Sequence, residues 1–239
     1  MKLGALIFDV DGTLADTEEV HRHAFNAAFL QHGLDWNWSR REYGRLLQTA
    51  GGKERIAAHL DSLALDRSER LAMEERIGHI HKTKTDIYAS LVAAGRVPLR
   101  AGVERLIDEA AAANVQLAIA STTTLANIEA LLRSALGRDA ALRFAVIGAG
   151  DQVRRKKPAP EIYRFVMREL NRGPQECVAF EDSPHGLAAA KAAGLYTVVT
   201  PTDWTRGEDF AAADRVVPSL AQIGIGELAR QLDGIREYQ

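Results

Sequence analysis

The chain has 239 residues, with 32 acidic side chains against 30 Lys or Arg and a formal net charge of −2. That balance provides no global basic field for nucleic acid, so a small anion has to be met by local cations. Hydrophobic residues at 46% and charged residues at 26% are ordinary for a globular protein, no apolar run approaches the ~18 residues of a bilayer span, and a single cysteine, Cys177, excludes an intrachain disulfide.

Residues 3–8 read as a short buried strand, because the apolar run is continuous rather than alternating. It runs directly into Asp9-Val10-Asp11-Gly12-Thr13. Residues 18–94 then read as helical throughout. The first helix, 18–31, carries Val20, Ala24, Ala27, Ala28 and Leu30 at roughly helical spacing. Helices 40–48 and 53–63 follow, separated by Gly51-Gly52, and 68–93 is a long charged helix with Leu71, Ile77, Ile80 and Ile87. From Val97 the pattern alternates: helix 103–113, strand 116–120, helix 125–135, strand 144–147, helix 159–170 and strand 177–180. Helix 184–193 stops at Gly194, and strands 196–199 and 215–217 and a last helix 220–231 follow. Strands alternating with helices mean βαβ units and a parallel sheet. The predicted fold is therefore α/β: a doubly wound parallel sheet, a Rossmann-like core, with an inserted all-α helical cap domain. The core is expected to take residues 1–15 and 96–239 and the cap residues 16–95, with hinges at 15–17 and 95–100. Such an insert can act as a lid.

Ligands of open parallel sheets bind at the carboxyl ends of the strands. The polar residues there are Asp9, Asp11 and Thr13, then Ser121 and Thr122, then Glu181, Asp182 and Ser183. Lys156-Lys157-Pro158 precedes the helix at 159–170. Asp9, Asp11 and Asp182 on one spot would repel one another and rise in pKa. A hard divalent cation removes that conflict, and Mg2+ is the usual companion of phosphate substrates. Lys157, Thr13 and Ser121 can hold phosphate oxygens. A carboxylate beside Mg2+ and a lysine suits phosphoryl transfer through an aspartyl-phosphate, with Asp11 placed for acid and base work. No GxxxxGK[ST] loop is present, so a P-loop nucleotide site is excluded.

DxDGT at Asp9–Thr13, then Ser121, then Lys157-Pro158, then Glu181-Asp182, in that order, resembles the haloacid dehalogenase superfamily of phosphohydrolases over the whole chain. The resemblance implies that Asp9 is the nucleophile and that Asp11 protonates the leaving oxygen and then activates water. Ser121 and Lys157 would bind the transferring phosphoryl group. Mg2+ would sit on Asp9, the Asp11 backbone carbonyl and Asp182, with Glu181 a ligand or its partner. The acid at Asp11 sets the chain apart from the dehalogenases of the superfamily.

The cap has its own pattern. Glu18 and His21 are three apart and share a helix face. Tyr43 and the run Thr49-Ala50-Gly51-Gly52-Lys53-Glu54-Arg55 follow. The glycine pair lets the backbone approach a ligand, and a second phosphate would explain Lys53 and Arg55 beside it. Together with FEDSPHGLAAAKAAG, this is similar to the CbbY branch, which is related to the β-phosphoglucomutases. Members of the branch dephosphorylate xylulose 1,5-bisphosphate, a Rubisco inhibitor, in association with the Calvin–Benson cycle. The resemblance implies a sugar-bisphosphate site formed by Glu18, His21, Tyr43, Lys53 and Arg55, with Gly51, Gly52, Thr13 and Thr122 beside them. A phosphomutase, a phosphoglycolate-type phosphatase and a non-catalytic binding module remain as alternatives. The remaining expectations are a cytoplasmic monomer with no leader peptide, a solvated Lys156, Trp36 and Trp38 as cap packing, no metal at His79 and His81, and Cys177 in the core.

Overall fold

The fold is described from a computed structural model covering residues 3–95 and 97–234. Strand β1 (Ala5–Phe8) lies at the middle of a six-stranded sheet and is fully buried. The other strands are β2 (Gln116–Ala120), β3 (Val146–Gly148), β4 (Cys177–Glu181), β5 (Tyr196–Val199) and β6 (Arg215–Val216). All pairings are parallel, in the order β3-β2-β1-β4-β5-β6. The strand order reverses at β1 and β4, which makes the gap above them the topological switch point. Register then decides which residues meet. Phe8 is opposite Ile119 on one side and Phe180 on the other. The residues just beyond, Asp9, Ser121 and Glu181-Asp182, therefore emerge together at one edge.

Alternation along β1 sends its side chains to two cores. Leu6 and Phe8 pack with Leu106 and Ile107 of α5 (Val103–Ala112), Leu131 of α6 (Leu125–Leu136) and Leu228 of α9 (Ile225–Gly234). Ala5 and Ile7 pack with Ile162 and Val166 of α7 (Glu161–Leu170) and Ala189 of α8 (Pro184–Ala192). Cys177 lies in this second core, where burial pushes its thiol up to about 12.

Between β1 and α5 stand four helices: α1 (Glu18–Gln31), α2 (Arg40–Leu46), α3 (Gly52–Asp61) and α4 (Arg67–Ala93). They enclose an aromatic core of their own, with Phe25, Phe29, Trp38 and Tyr43 beside Ile56 and Ile80. Trp38 packs at 4.7 Å from Phe29, and Trp36 stands edge-on to the same ring at 5.2 Å. Helix α4 starts at a capping box built by Asp66 and Glu69. Its far end, Tyr88 and Val92, joins the core of the sheet domain. The chain segments entering and leaving this insert run side by side, since Ala15 bridges Leu99 in antiparallel fashion. Arg100 then ties the return segment down by donating to the carbonyls of Gly12, Thr200 and Pro201. Arg96, where the expected core resumes, and the expected core residues 1–2 and 235–239 lie outside the described residues.

Most elements fall within one or two residues of expectation at their ends, and two of the differences have a clear local cause. The third strand is Val146–Gly148 rather than 144–147, because Phe144 follows a 3-10 turn at Ala140–Arg143 and buries its ring as a loop residue. The last helix begins at Ile225 rather than 220. Leu220–Gln222 is a 3-10 turn capped by Ser219, and Gly224 separates it from the helix. No helix among the described residues is long and apolar enough to cross a membrane.

Candidate active site

The loop after β1 places Asp9 where the switch point opens. Its backbone N–H donates to Phe180 at 3.0 Å, continuing the ladder, and its carboxylate accepts from Lys157 Nζ at 2.7 Å. Lys157 is buried and also donates to Glu181 Oε1 at 2.5 Å. The Tyr163 hydroxyl donates to the same Glu181 oxygen, with Lys157 Nζ 5.0 Å from the Tyr163 ring centre. Asp182 completes the group: Asp9, Glu181 and Asp182 each present a ligand oxygen within 4.8 Å of the others.

Glycines shape this cluster. A Cβ on Gly12, whose φ is +83°, would lie 2.1 Å from Asp182 Oδ2, so only glycine lets the β1 loop press on that carboxylate. A Cβ on Gly186, in the first turn of α8, would overlap Glu181 Oε2. That oxygen is buried without a hydrogen-bond partner.

Charge balance governs what the cluster can hold. Burial pushes Asp9 up to about 8, with Lys157 pulling against the shift and Glu181 adding to it. Burial, then Asp9 and Glu181, raise Asp182 well above the ordinary carboxylate range, and Arg100 offsets only part of this. Burial disfavours the Lys157 ammonium, but Asp9 and Glu181 outweigh it and raise that group. Three carboxylates facing one ammonium leave two negative charges in excess when all are ionised. Hard oxygens with that surplus fit a hard divalent cation.

Asp11 turns away from the cluster. It accepts from Thr17 Oγ1 at 2.6 Å and meets His21 Nε2 at 2.8 Å. His21 is stacked on Tyr88 with ring centres 4.1 Å apart, and its Nδ1 lies 2.5 Å from Lys84 Nζ. Burial and mutual repulsion lower the pKa of His21, while burial brings Lys84 down to about 7. Two cations side by side disfavour one another, and with the Asp11 carboxylate as acceptor the ring presents Nε2–H to it. Burial alone would raise Asp11, but His21, Thr17 and the Lys84 charge overcome it and hold the carboxyl well below its ordinary range.

A cavity of about 400 Å³ lies between the sheet edge and the helical insert. Asp9, Asp11, Ser121, Thr122, Lys157 and Asp182 line its floor, and Glu18, His21, Gly51, Gly52, Lys53 and Arg55 line its roof. Two expected contact residues lie behind the wall instead. Thr13 is fully buried with an unpartnered hydroxyl. Tyr43 is fully buried, donates to Glu18 Oε2 at 2.7 Å and accepts from Arg55 Nη1 at 2.8 Å, so it reaches the cavity only through those two residues. Glu181 is likewise fully buried beneath Asp9. His79 is exposed while His81 faces Gly52, so the two do not converge.

Four residues at the site escape a reading of the sequence. Lys84 had a signal, since it sits between Ile80 and Tyr88 on the buried stripe of α4. Tyr163 looks like any core aromatic of α7. Trp204, in the segment after β5, stands edge-on to Tyr43 at 5.6 Å and carries the Arg40 guanidinium 4.7 Å above its ring. Lys156 is a correction, because it is not a free solvated lysine: its Nζ donates to Glu54 Oε1 of α3 at 2.7 Å.

Comparison with known proteins identifies the family. Residues 3–194 match the haloacid dehalogenase-like hydrolase family. Protein CbbY of Rhodobacter capsulatus is 51% identical over 221 residues, which is 92% of this chain and 95% of that protein. A crystal structure of CbbY from Rhodobacter sphaeroides in complex with phosphate superposes with a TM-score of 0.86 at 48% identity, covering 94% of this chain and 97% of that one. A mutant of the same protein, in complex with xylulose-(1,5)bisphosphate, gives the same TM-score at 49% identity and the same coverage. With an acid-rich switch point, a buried lysine on its first aspartate and relatives at half identity over nearly the full length, the chain belongs to the haloacid dehalogenase-like hydrolases, among their phosphatases.

Proposed function

We propose that this chain is a Mg2+-dependent sugar-phosphate phosphatase that converts xylulose 1,5-bisphosphate to xylulose 5-phosphate and inorganic phosphate. In this reading residues 1–15 and 96–239 form the catalytic core, residues 16–95 form the cap, and the enzyme is a cytoplasmic monomer. The observation that carries it is a single cavity with two chemically different ends. Asp9, Ser121 and Lys157 stand on the floor, and Lys53 and Arg55 stand on the roof. A bisphosphate matches both ends, and a similar protein has been crystallised with that sugar bisphosphate.

The chemistry follows from the side chains. Asp9 attacks phosphorus, the phosphorus–sugar oxygen bond breaks, and Asp11 delivers a proton to the departing oxygen. Water then attacks the aspartyl-phosphate, Asp11 takes a proton from it, and the bond to Asp9 breaks to release phosphate. Lys157 and Ser121 hold the phosphoryl oxygens through both displacements. The Lys84 charge and the donors on Asp11 keep it ionised, the form that can accept a proton. For the acid role, the incoming phosphate must raise its proton affinity, as a neighbouring negative charge does. Mg2+ would be held by Asp9, the Asp11 carbonyl and Asp182, with Glu181 behind them, and would supply charge neutralisation for the carboxylates and the phosphoryl oxygens.

The test is phosphate release with and without Mg2+ on xylulose 1,5-bisphosphate, ribulose 1,5-bisphosphate, β-glucose 1-phosphate and phosphoglycolate. A Mg2+-dependent preference for the xylulose compound is expected. Preference for another member rejects the substrate, and activity in full chelation rejects the metal.

A further inference from the structure

Lys156 and Lys157 are neighbours in one loop but serve different places. Lys157 Nζ is buried on Asp9. Lys156 Nζ crosses from the sheet domain to the helical insert and pairs with Glu54 Oε1 at 2.7 Å. Both partners are part-exposed, at 24% and 46%. Pairs of that kind add little to stability, so the contact needs another reason.

The surroundings provide one. The Glu54 carboxylate lies in a slot against the Gly51 backbone: a Cβ on Gly51 would sit 2.2 Å from Glu54 Oε2 and 2.8 Å from Lys156 Nζ. Gly51 has a φ of +99°, so the slot is formed by backbone that disfavours any side chain. His81 flanks it, its ring against Gly52. Burial and then the charges of Lys84, Lys53 and Lys156 push His81 down to about 4, while Glu54 pulls the other way. Lys53, Lys156 and the Glu54 carboxylate, which the protein itself supplies, therefore gather at this corner of the cavity.

We infer that Glu54 is a stand-in for the second phosphate of the substrate, and that Lys156 is a specificity-determining residue that exchanges Glu54 for that phosphate. This rests on the sugar-bisphosphate reading above. A bisphosphate displaces the carboxylate and takes both the lysine and the slot at Gly51. A monophosphate leaves Lys156 on Glu54. The loop then spaces two phosphates with consecutive lysines, Lys157 at the one transferred and Lys156 at the one retained.

Binding is measured by calorimetric titration in the turnover-blocked Asp9→Asn full-length chain, with xylulose 1,5-bisphosphate and xylulose 1-phosphate as probes. Adding Lys156→Met is expected to weaken the bisphosphate about tenfold more than the monophosphate, as loss of one charge-assisted hydrogen bond predicts. Lys156→Arg should restore most of the difference. Glu54→Gln should tighten the bisphosphate and leave the ratio of Lys156→Arg to its parent unchanged. Equal losses on both probes, or a Glu54→Gln variant that binds the bisphosphate no better, overturn the assignment while the bisphosphate reading stands. A parent chain that binds the monophosphate as tightly as the bisphosphate overturns both.

Discussion

Replacing Asp9 with Asn should make the metal-free protein more stable while abolishing phosphate release. The substitution keeps the volume of the side chain and removes one of three crowded carboxylates. Burial and Glu181 move Asp9 from 3.8 to about 8 against the pull of Lys157. At pH 7 the folded protein then holds Asp9 mostly protonated, and taking up that proton on folding costs about 4 kcal/mol. Asn carries no such penalty. It does weaken the charge-assisted contact with Lys157, a loss of about 1.5–3 kcal/mol, although Lys157 keeps Glu181. The net gain is about 1–2.5 kcal/mol, or about 2–10 °C in Tm for a chain of this length. Thermal unfolding in chelator at pH 7 measures it directly. Because the folded value lies above the unfolded one, the penalty is absent below 3.8 and grows as pH rises toward about 8. The advantage of the variant should therefore vanish at pH 5. Saturating Mg2+ should reverse the order, since the wild type gains a ligand that binds only its folded state. An Asp9→Asn protein less stable than wild type in chelator at pH 7 would refute the charge-crowding account, and one that still releases phosphate would refute Asp9 as nucleophile.

Three further perturbations probe neighbouring parts of the site. Lys84→Met removes a repulsion that lowers His21, so the His21 imidazole should titrate at higher pH when followed by NMR; an unmoved His21 would separate it from Lys84. Gly12→Ala drives a methyl group onto Asp182 at a φ of +83°, and should cost about 1–3 kcal/mol and weaken Mg2+ in calorimetric titration; unchanged Mg2+ affinity would count against Asp182 as a ligand. Trp204 bridges the sheet domain to Tyr43 and Arg40 of the insert, so xylulose 1,5-bisphosphate should alter tryptophan emission in wild type and not in Trp204→Phe. The same change in both proteins would assign it to Trp36 or Trp38 instead.

The floor of the cavity was legible in the sequence because strand order does the assembling. A short apolar strand followed by two aspartates can only put them at its carboxyl end, and parallel pairing carries Ser121 and Glu181-Asp182 to the same edge. The α/β alternation and the all-helical insert follow from hydrophobic period in the same way. Where that period is ambiguous, the reading slipped: the apolar run at Phe144 gives no sign that its first residue is buried from a loop. The roof of the site depended on tertiary structure. Lys84 meets His21 across 63 positions, Lys156 meets Glu54 across 102, and Tyr43 withdraws behind Glu18 and Arg55. Charge on a side chain says that it needs a partner, but burial decides which partner, and burial is set by how helices far apart in the chain pack together.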